Sequence, residues 1–200
     1  SLAGFSLLLG LRPDPTAAQL SHHTILFPKD YDAEFNSIFN TRTPVVNPTI
    51  YLCAPHDETM VKEAGAQSLF VLVNAPVHDS TGNSGWNWND ENFNREYANS
   101  IIDQIEAQGI SIRDRLEVLE IRTPADLERS VNAPGGAIYG TSSNGAKSAF
   151  LRARNRSPLK GLYCVGGSAH PGGGLPLVGL SAEIVANAIG NTQNASRLLH

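Results

Sequence analysis

Apolar positions follow two kinds of pattern along this chain, and the second kind comes late. Near the start, Gly4–Leu11 (GFSLLLGL) is a continuous apolar run closed by the turn-rich RPDPT, which predicts a buried strand. His22–Pro28 (HHTILFP) predicts a second, shorter strand. TIYLCAP and SLFVLVNAPV predict two more, of β-branched and aromatic character, joined by the polar HDETMVKEAGAQ. In KDYDAEFNSIFN the spacing is helical, with Tyr31, Phe35, Ile38 and Phe39 on one face and Lys29 and Asp30 at its start. After the loop HDSTGNSGWNWND, Asp90 predicts an N-cap. Phe93, Tyr97, Ile101 and Ile105 then recur four apart, and Gly109 ends the helix. RLEVLEIRTP predicts a strand leading to a capped turn, with Thr123 as cap, Pro124 in the first helical position and Asp126 completing the box.

Strands that follow one another without intervening helices predict an antiparallel or mixed sheet for roughly residues 1–80. The last segment differs in kind. Leu162–Ile189 (LYCVGGSAHPGGGLPLVGLSAEIVANAI) carries six glycines, two prolines and one histidine. Before them, Gly161–Val165 (GLYCV) predicts a buried strand. After them, Leu177, Val178, Leu180, Ile184, Val185, Ala188 and Ile189 predict a helix that Gly190-Asn191 would end. Glycine lets other atoms approach the main chain, while Pro171 and Pro176 stiffen the turn; Pro176 also suits a first helical turn. Free N–H groups at the helix start favour an anion or an electron-rich ring edge. Pyrophosphate or a flavin ring would fit such a cradle. Glycine-rich turns also serve close packing alone, and the pattern leaves both readings open. The dinucleotide fingerprint G-x-G-x-x-G is absent, since Gly172-Gly173-Gly174-Leu175-Pro176-Leu177 fails at its last position. The phosphate loop ending G-K-[ST] is absent as well.

Composition narrows the classes. The chain of 200 residues is 41% apolar and 17% charged with a net charge of −4, the profile of an ordinary globular domain. Lys and Arg are interspersed with acids, so no nucleic-acid partner is expected. No apolar run reaches the roughly 18 residues of a spanning helix. SLAGFSLLLGLRPDP has neither a basic start nor a small-residue cleavage site, so no signal peptide is expected. The first residue is Ser1 and the single methionine is Met60, from which a fragment or processed product is expected. Cys53 and Cys164 sit in apolar contexts and are expected to be buried free thiols.

Other candidate chemistry is weaker. Ser168 and His170 lie close together, but no G-x-S-x-G elbow exists and a hydrolase is not expected. Adjacent His22 and His23 should point to opposite faces of a strand, so no metal site is expected there. His56-Asp57 and His78-Asp79 are expected to be satisfied polar turns. Trp86 and Trp88 suit either an interfacial anchor or a loop cover, the cover being favoured.

The glycine segment resembles the C-terminal flavin-binding signature of bacterial phytoene-desaturase-type carotenoid desaturases. The resemblance extends upstream through SHHTILFPKDYDAEFNSIF, PTIYLCAPHDETMVKEAGAQSLFVLVNAPV, RTPADLERSVNAPGGAIYG and FLRARNRSPLKGLY. It implies a mixed α/β fold, the C-terminal part of a Rossmann-like FAD/NAD(P)-binding flavoprotein. Residues 1–150 would belong to an antiparallel or mixed-sheet polyene-binding domain and 151–200 to the end of the FAD domain. It further implies FAD as cofactor, desaturation of a long hydrophobic polyene, and a cytoplasmic protein in peripheral contact with the membrane. A G-x-G-x-x-G part of the same enzyme would precede this chain. By the resemblance, Gly166, Gly167, Gly172, Gly173 and Gly174 form the flavin cradle, and Leu175, Pro176 and Leu177 the helix start beside it. Arg152 would face the substrate tunnel and His170 the ring. Arg152-Ala153-Arg154-Asn155-Arg156 stands where the family reads R-P-H-N-R, and Ala169 where Thr is common. These departures fit a different polyene, hydroxylated or already desaturated. A carotenoid isomerase, a carotenoid oxygenase, an amine oxidase and a non-catalytic substrate-binding piece are the alternatives.

Overall fold

Alternation along the first strand explains the sheet. In β1 (Ala3–Leu11) every second residue from Ala3 onward is at most 3% exposed, whereas Leu8 is 40% exposed. Successive side chains of a strand point to opposite faces, so the continuous apolar run is sealed on one face only. The computed structural model describes residues 1–17, 20–140 and 152–197, with side chains described as far as 190. Within it, β1 pairs with β4 (Gln67–Ala75) and β5 (Leu116–Arg122), and β4 with β3 (Ile50–Cys53), which carries β2 (His23–Leu26). All four pairings are antiparallel, in the order β2-β3-β4-β1-β5. The antiparallel expectation holds, and β5 carries the sheet beyond residue 80.

Helix α2 (Glu91–Glu106) covers the buried face. The Asp90 carboxylate accepts the N–H groups of Asn92 and Phe93 at its start, as predicted. Ile101 and Ile105 are fully buried with Ile102, against Leu7, Val71 and Leu52 in the same core. The Phe5 ring lies 5.3 Å from Trp88 and 5.0 Å from Tyr97. Trp88 is 1% exposed and donates its indole N–H to the Pro76 carbonyl at 3.0 Å, so it is a core residue rather than an interfacial anchor. Trp86 covers the loop, its ring 5.2 Å from Phe93. Helix α3 (Pro124–Val131) has the predicted capping box of Thr123 and Asp126.

The stretch expected as one helix is instead α1 (Asp32–Phe35) continued by a π-helical turn, Asn36–Thr41, which ends at left-handed Arg42. Ile38 faces the core, but Tyr31 and Phe35 are exposed and belong to a ladder of rings from Phe27 to Phe39, edge-on from Phe27 to Phe35 and stacked at Phe35 and Phe39. What this segment buries is a charge position. Glu34 is fully buried and accepts from the Thr49 N–H at 2.7 Å and the Asn74 amide at 2.8 Å. A carboxylate in the interior needs such donors to offset lost hydration. Tyr97 nearby donates its hydroxyl to the Val45 carbonyl. Burial first, and the Glu34 charge second, push that phenol well above its ordinary range.

The chain falls into two compact units, Leu2–Ala137 and Ile138–His200 with Ser1. The boundary expected at 150/151 lies outside the described residues. In the second unit, Gly161–Val165 is not a strand: Tyr163 makes one isolated bridge to Arg156, and Leu162 and Val165 are exposed. A ladder requires a continuous partner strand, and the described residues of this unit hold none. Helix α4 (Leu175–Arg197) begins two residues earlier than the spacing predicts and continues through Gly190-Asn191. Gly190 keeps a negative φ. An interior glycine costs a helix only about 1 kcal/mol and ends it only when it turns left-handed.

Candidate cofactor-binding site

The glycine turn is held by a buried polar hub. Asn155 directs its amide at the carbonyls of His170 (2.8 Å) and Cys164 (3.1 Å) and at the Ser181 hydroxyl (2.9 Å). Ser181, on α4, also accepts the Gly166 N–H at 3.1 Å. The Asn155 carbonyl accepts from Cys164 at 2.8 Å, and the His170 N–H donates to Ala153 at 2.9 Å. With Ser181 fully buried and Asn155 8% exposed, each of these bonds is expensive to leave unmade. They tie the start of the turn, its middle and the helix into one piece.

The glycines then divide by what their bare faces meet. A Cβ on Gly173 would lie 2.1 Å from Cδ1 of Tyr139, so this glycine makes room for a ring of the same chain. A Cβ on Gly172 would meet the Arg152 guanidinium at 3.3 Å, and one on Gly167 the Gly173 main chain at 3.4 Å. Gly166 (φ 113°) and Gly174 (φ 99°) adopt backbone that side chains rarely take, with nothing within 4 Å of the added Cβ. Packing and open approach therefore coexist in one turn. Arg152 braces it by donating to the Tyr139 carbonyl at 2.9 Å and the Gly167 carbonyl at 3.2 Å. The His170 ring is exposed, and the His170-Pro171 bond is cis. His170 locks the turn through its main chain rather than its ring. Leu175 (89% exposed), Pro176 and Leu177 open α4 on the surface. Open backbone at Gly166 and Gly174 beside a helix start fits one end of a flavin dinucleotide.

Sequence reasoning missed Asn155 and Ser181 as the hub, and Tyr139 as the ring over Gly173. No periodicity marks Asn155 or Tyr139. The one available signal was a serine in line with the apolar face of a helix.

The opposite face of the sheet, uncovered among the described residues, holds a second set of residues. Cross-strand register aligns His23, Cys53, Phe70, Leu8 and Glu120 in one row, with Tyr51, Leu72 and Ser6 in the next. Leu8 (40%) and Phe70 (37%) are exposed there, and a cavity of about 310 Å³ lies between Leu8, Met60 and Val118. The expectation that His22 and His23 diverge is overturned: their ring centroids are 4.3 Å apart. His22 precedes β2, so strand alternation does not govern it. Cys53 and Cys164 are free, as expected, but half-buried. Asp57 and Asp79 do serve polar turns. Bonds from the Thr81 hydroxyl and from the Ser84 and Thr81 N–H groups hold Asp79 down to about 2.

No family model matches the chain. It is 38% identical over 177 residues to a 1-hydroxycarotenoid 3,4-desaturase of a Flavobacterium species, a match to 87% of this chain and 35% of the relative. It is 33% identical over 199 residues to the hydroxyneurosporene desaturase of Rubrivivax gelatinosus, covering 94% of this chain and 35% of that one. A 4,4'-diaponeurosporene oxygenase of Staphylococcus haemolyticus is 31% identical over 94% of this chain and 36% of its own length. The chain is thus a relative of the carotenoid desaturases that its sequence resembles, and it spans about 35% of their length.

Proposed function

We propose that this chain is the C-terminal part of an FAD-dependent carotenoid desaturase, which introduces a double bond into a long polyene. The observation that carries the reading is the 38% identity to a 1-hydroxycarotenoid 3,4-desaturase across 87% of the chain. When bound, FAD would supply the hydride acceptor for the dehydrogenation. The main chain at Gly166 and Gly174 and the first N–H groups of α4 would hold one end of it. Gly167, Gly172 and Gly173 with Arg152 and Tyr139 would keep that cradle in shape. Leu175, Pro176 and Leu177 would form its apolar lip, with the exposed His170 ring at its edge.

A Rossmann-like unit preceding this chain would hold the rest of the dinucleotide and cover the apolar residues of α4. The 200 residues alone would then bind FAD weakly or not at all and be inactive. The apolar row of Leu8 and Phe70 suits a hydrophobic polyene. No helix among the described residues is long and apolar enough to cross a membrane. Exposed Ile25, Phe27 and Val46 are apolar side chains of the kind that rest on a bilayer, which supports peripheral membrane contact.

Product mass decides the reaction. The intact protein is expected to purify with flavin absorbance and to remove two hydrogens from a hydroxylated carotenoid. Products gaining oxygen would favour the second reading, an oxygenase, for which the diaponeurosporene oxygenase relative speaks. A flavin-free intact protein that leaves carotenoids unchanged would sink both.

A further inference from the structure

We propose that His22, His23 and Cys53 form a binding site for a zinc-class transition-metal ion on the uncovered face of the sheet. One donor atom from each of the three residues lies within 4.8 Å of the others. The fold brings them together in a definite way. His23 stands directly opposite Cys53 in the antiparallel register of β2 and β3, so both side chains share one face. The Ala54 N–H donates to the His22 carbonyl at 2.9 Å, which holds His22 against the end of β3.

A ligand histidine is usually oriented by a hydrogen bond at its other ring nitrogen. Here the Tyr51 hydroxyl lies 2.8 Å from Nδ1 of His23, and the two rings stack at 5.9 Å. Tyr51 sits two residues before Cys53 on the same face of β3. With Nδ1 engaged, Nε2 is the nitrogen left to bind a metal. Two imidazoles and one thiolate form a borderline-soft donor set that suits zinc and not the oxygen-seeking calcium or magnesium. Zinc bonded at about 2.0–2.3 Å places tetrahedral donors about 3.3–3.8 Å apart. His22 is exposed, and rotating its side chain and that of Cys53 closes the difference of about 1 Å while His23 keeps its bond to Tyr51. Three protein donors leave a fourth position for water or another ligand. The ion would clip the edge strand β2 to β3 beside the apolar row of Phe70 and Leu8.

The test uses the intact protein without a histidine tag, equilibrium dialysis against zinc, and cobalt as a spectroscopic substitute. One zinc per chain and a thiolate-to-cobalt charge-transfer band are expected. His22→Gln and His23→Gln should each weaken zinc about 10-fold or more, at unchanged circular dichroism. Cys53→Ser should abolish the cobalt band, and Cys164→Ser should leave it intact. The proposal is overturned if the native protein takes up no zinc, or if uptake survives His22→Gln combined with His23→Gln. A cobalt band lost with Cys164 instead of Cys53 would overturn it equally.

Discussion

Helices α2 and α4 look alike in sequence, each with apolar residues on one face, yet they end in different surroundings. In α2, Ile101, Ile102 and Ile105 are fully buried on the sheet. In α4, Leu180, Ile184 and Ile189 are 48%, 39% and 41% exposed, and Val185 is the apolar residue most deeply covered, at 8%. What anchors α4 is polar: Ser181 on Asn155 and on the Gly166 N–H. Periodicity states which face of a helix is apolar but not what will cover it. The sheet unit is held by a sealed apolar core, the glycine unit by hydrogen bonds in a buried hub.

The contrast can be tested by substitution. Ile101→Ala is expected to cost about 2–5 kcal/mol, the range for emptying a sealed core site. In the 200-residue chain, Ile184→Ala should cost less than about 1 kcal/mol in the same denaturant titration. Equal losses would mean that α4 is sealed as α2 is. Gly173→Val forces a side chain into the Tyr139 ring and should cost about 1–3 kcal/mol as overpacking. It should also remove flavin from the intact enzyme. Adding Tyr139→Ala separates the two roles of this glycine. If the pair regains both stability and flavin, Gly173 serves packing; if stability returns without flavin, it serves the cofactor too.

Asn155→Ala strips the donor from two carbonyls and should cost about 1–3 kcal/mol. Amide exchange should quicken at Gly166 and His170, whose links run through the hub or beside it, and not in β1. The smallest effect expected is in the loop from Asp79 to Ser84. The Asp79 carboxyl is depressed from its ordinary 3.8 to about 2. A depressed acid stabilises the folded form above its unfolded value and loses that contribution as pH falls through the folded one. The Thr81 and Ser84 amide resonances should therefore hold steady above pH 3.8 and shift as pH approaches about 2.

Local chemistry was readable where its partners are near in sequence. The caps at Asp90 and Thr123 were legible because each side chain bonds an N–H two or three residues on. The glycine turn and its helix were legible for the same reason, since Gly166 to Leu177 form one contiguous run. The strand expected at Gly161–Val165 failed because a strand is defined by its neighbours, and the run alone supplies none. Glu34 carries no signal of its burial in the pattern around it, because its donors are Thr49 and Asn74, brought to it by the fold.

By itself, then, the sequence determined the apolar faces, the caps, the bare backbone before α4 and the kinship with carotenoid desaturases. Each is written in a short span or in residue-by-residue likeness. Tertiary structure alone decided that β1 is sealed on one side and that Tyr139 fills the space over Gly173. It also decided that Asn155 and Ser181 meet, and that two histidines reach Cys53 across a strand pair. Those contacts join residues far apart in the chain, and only strand register and packing bring their atoms within a few ångströms.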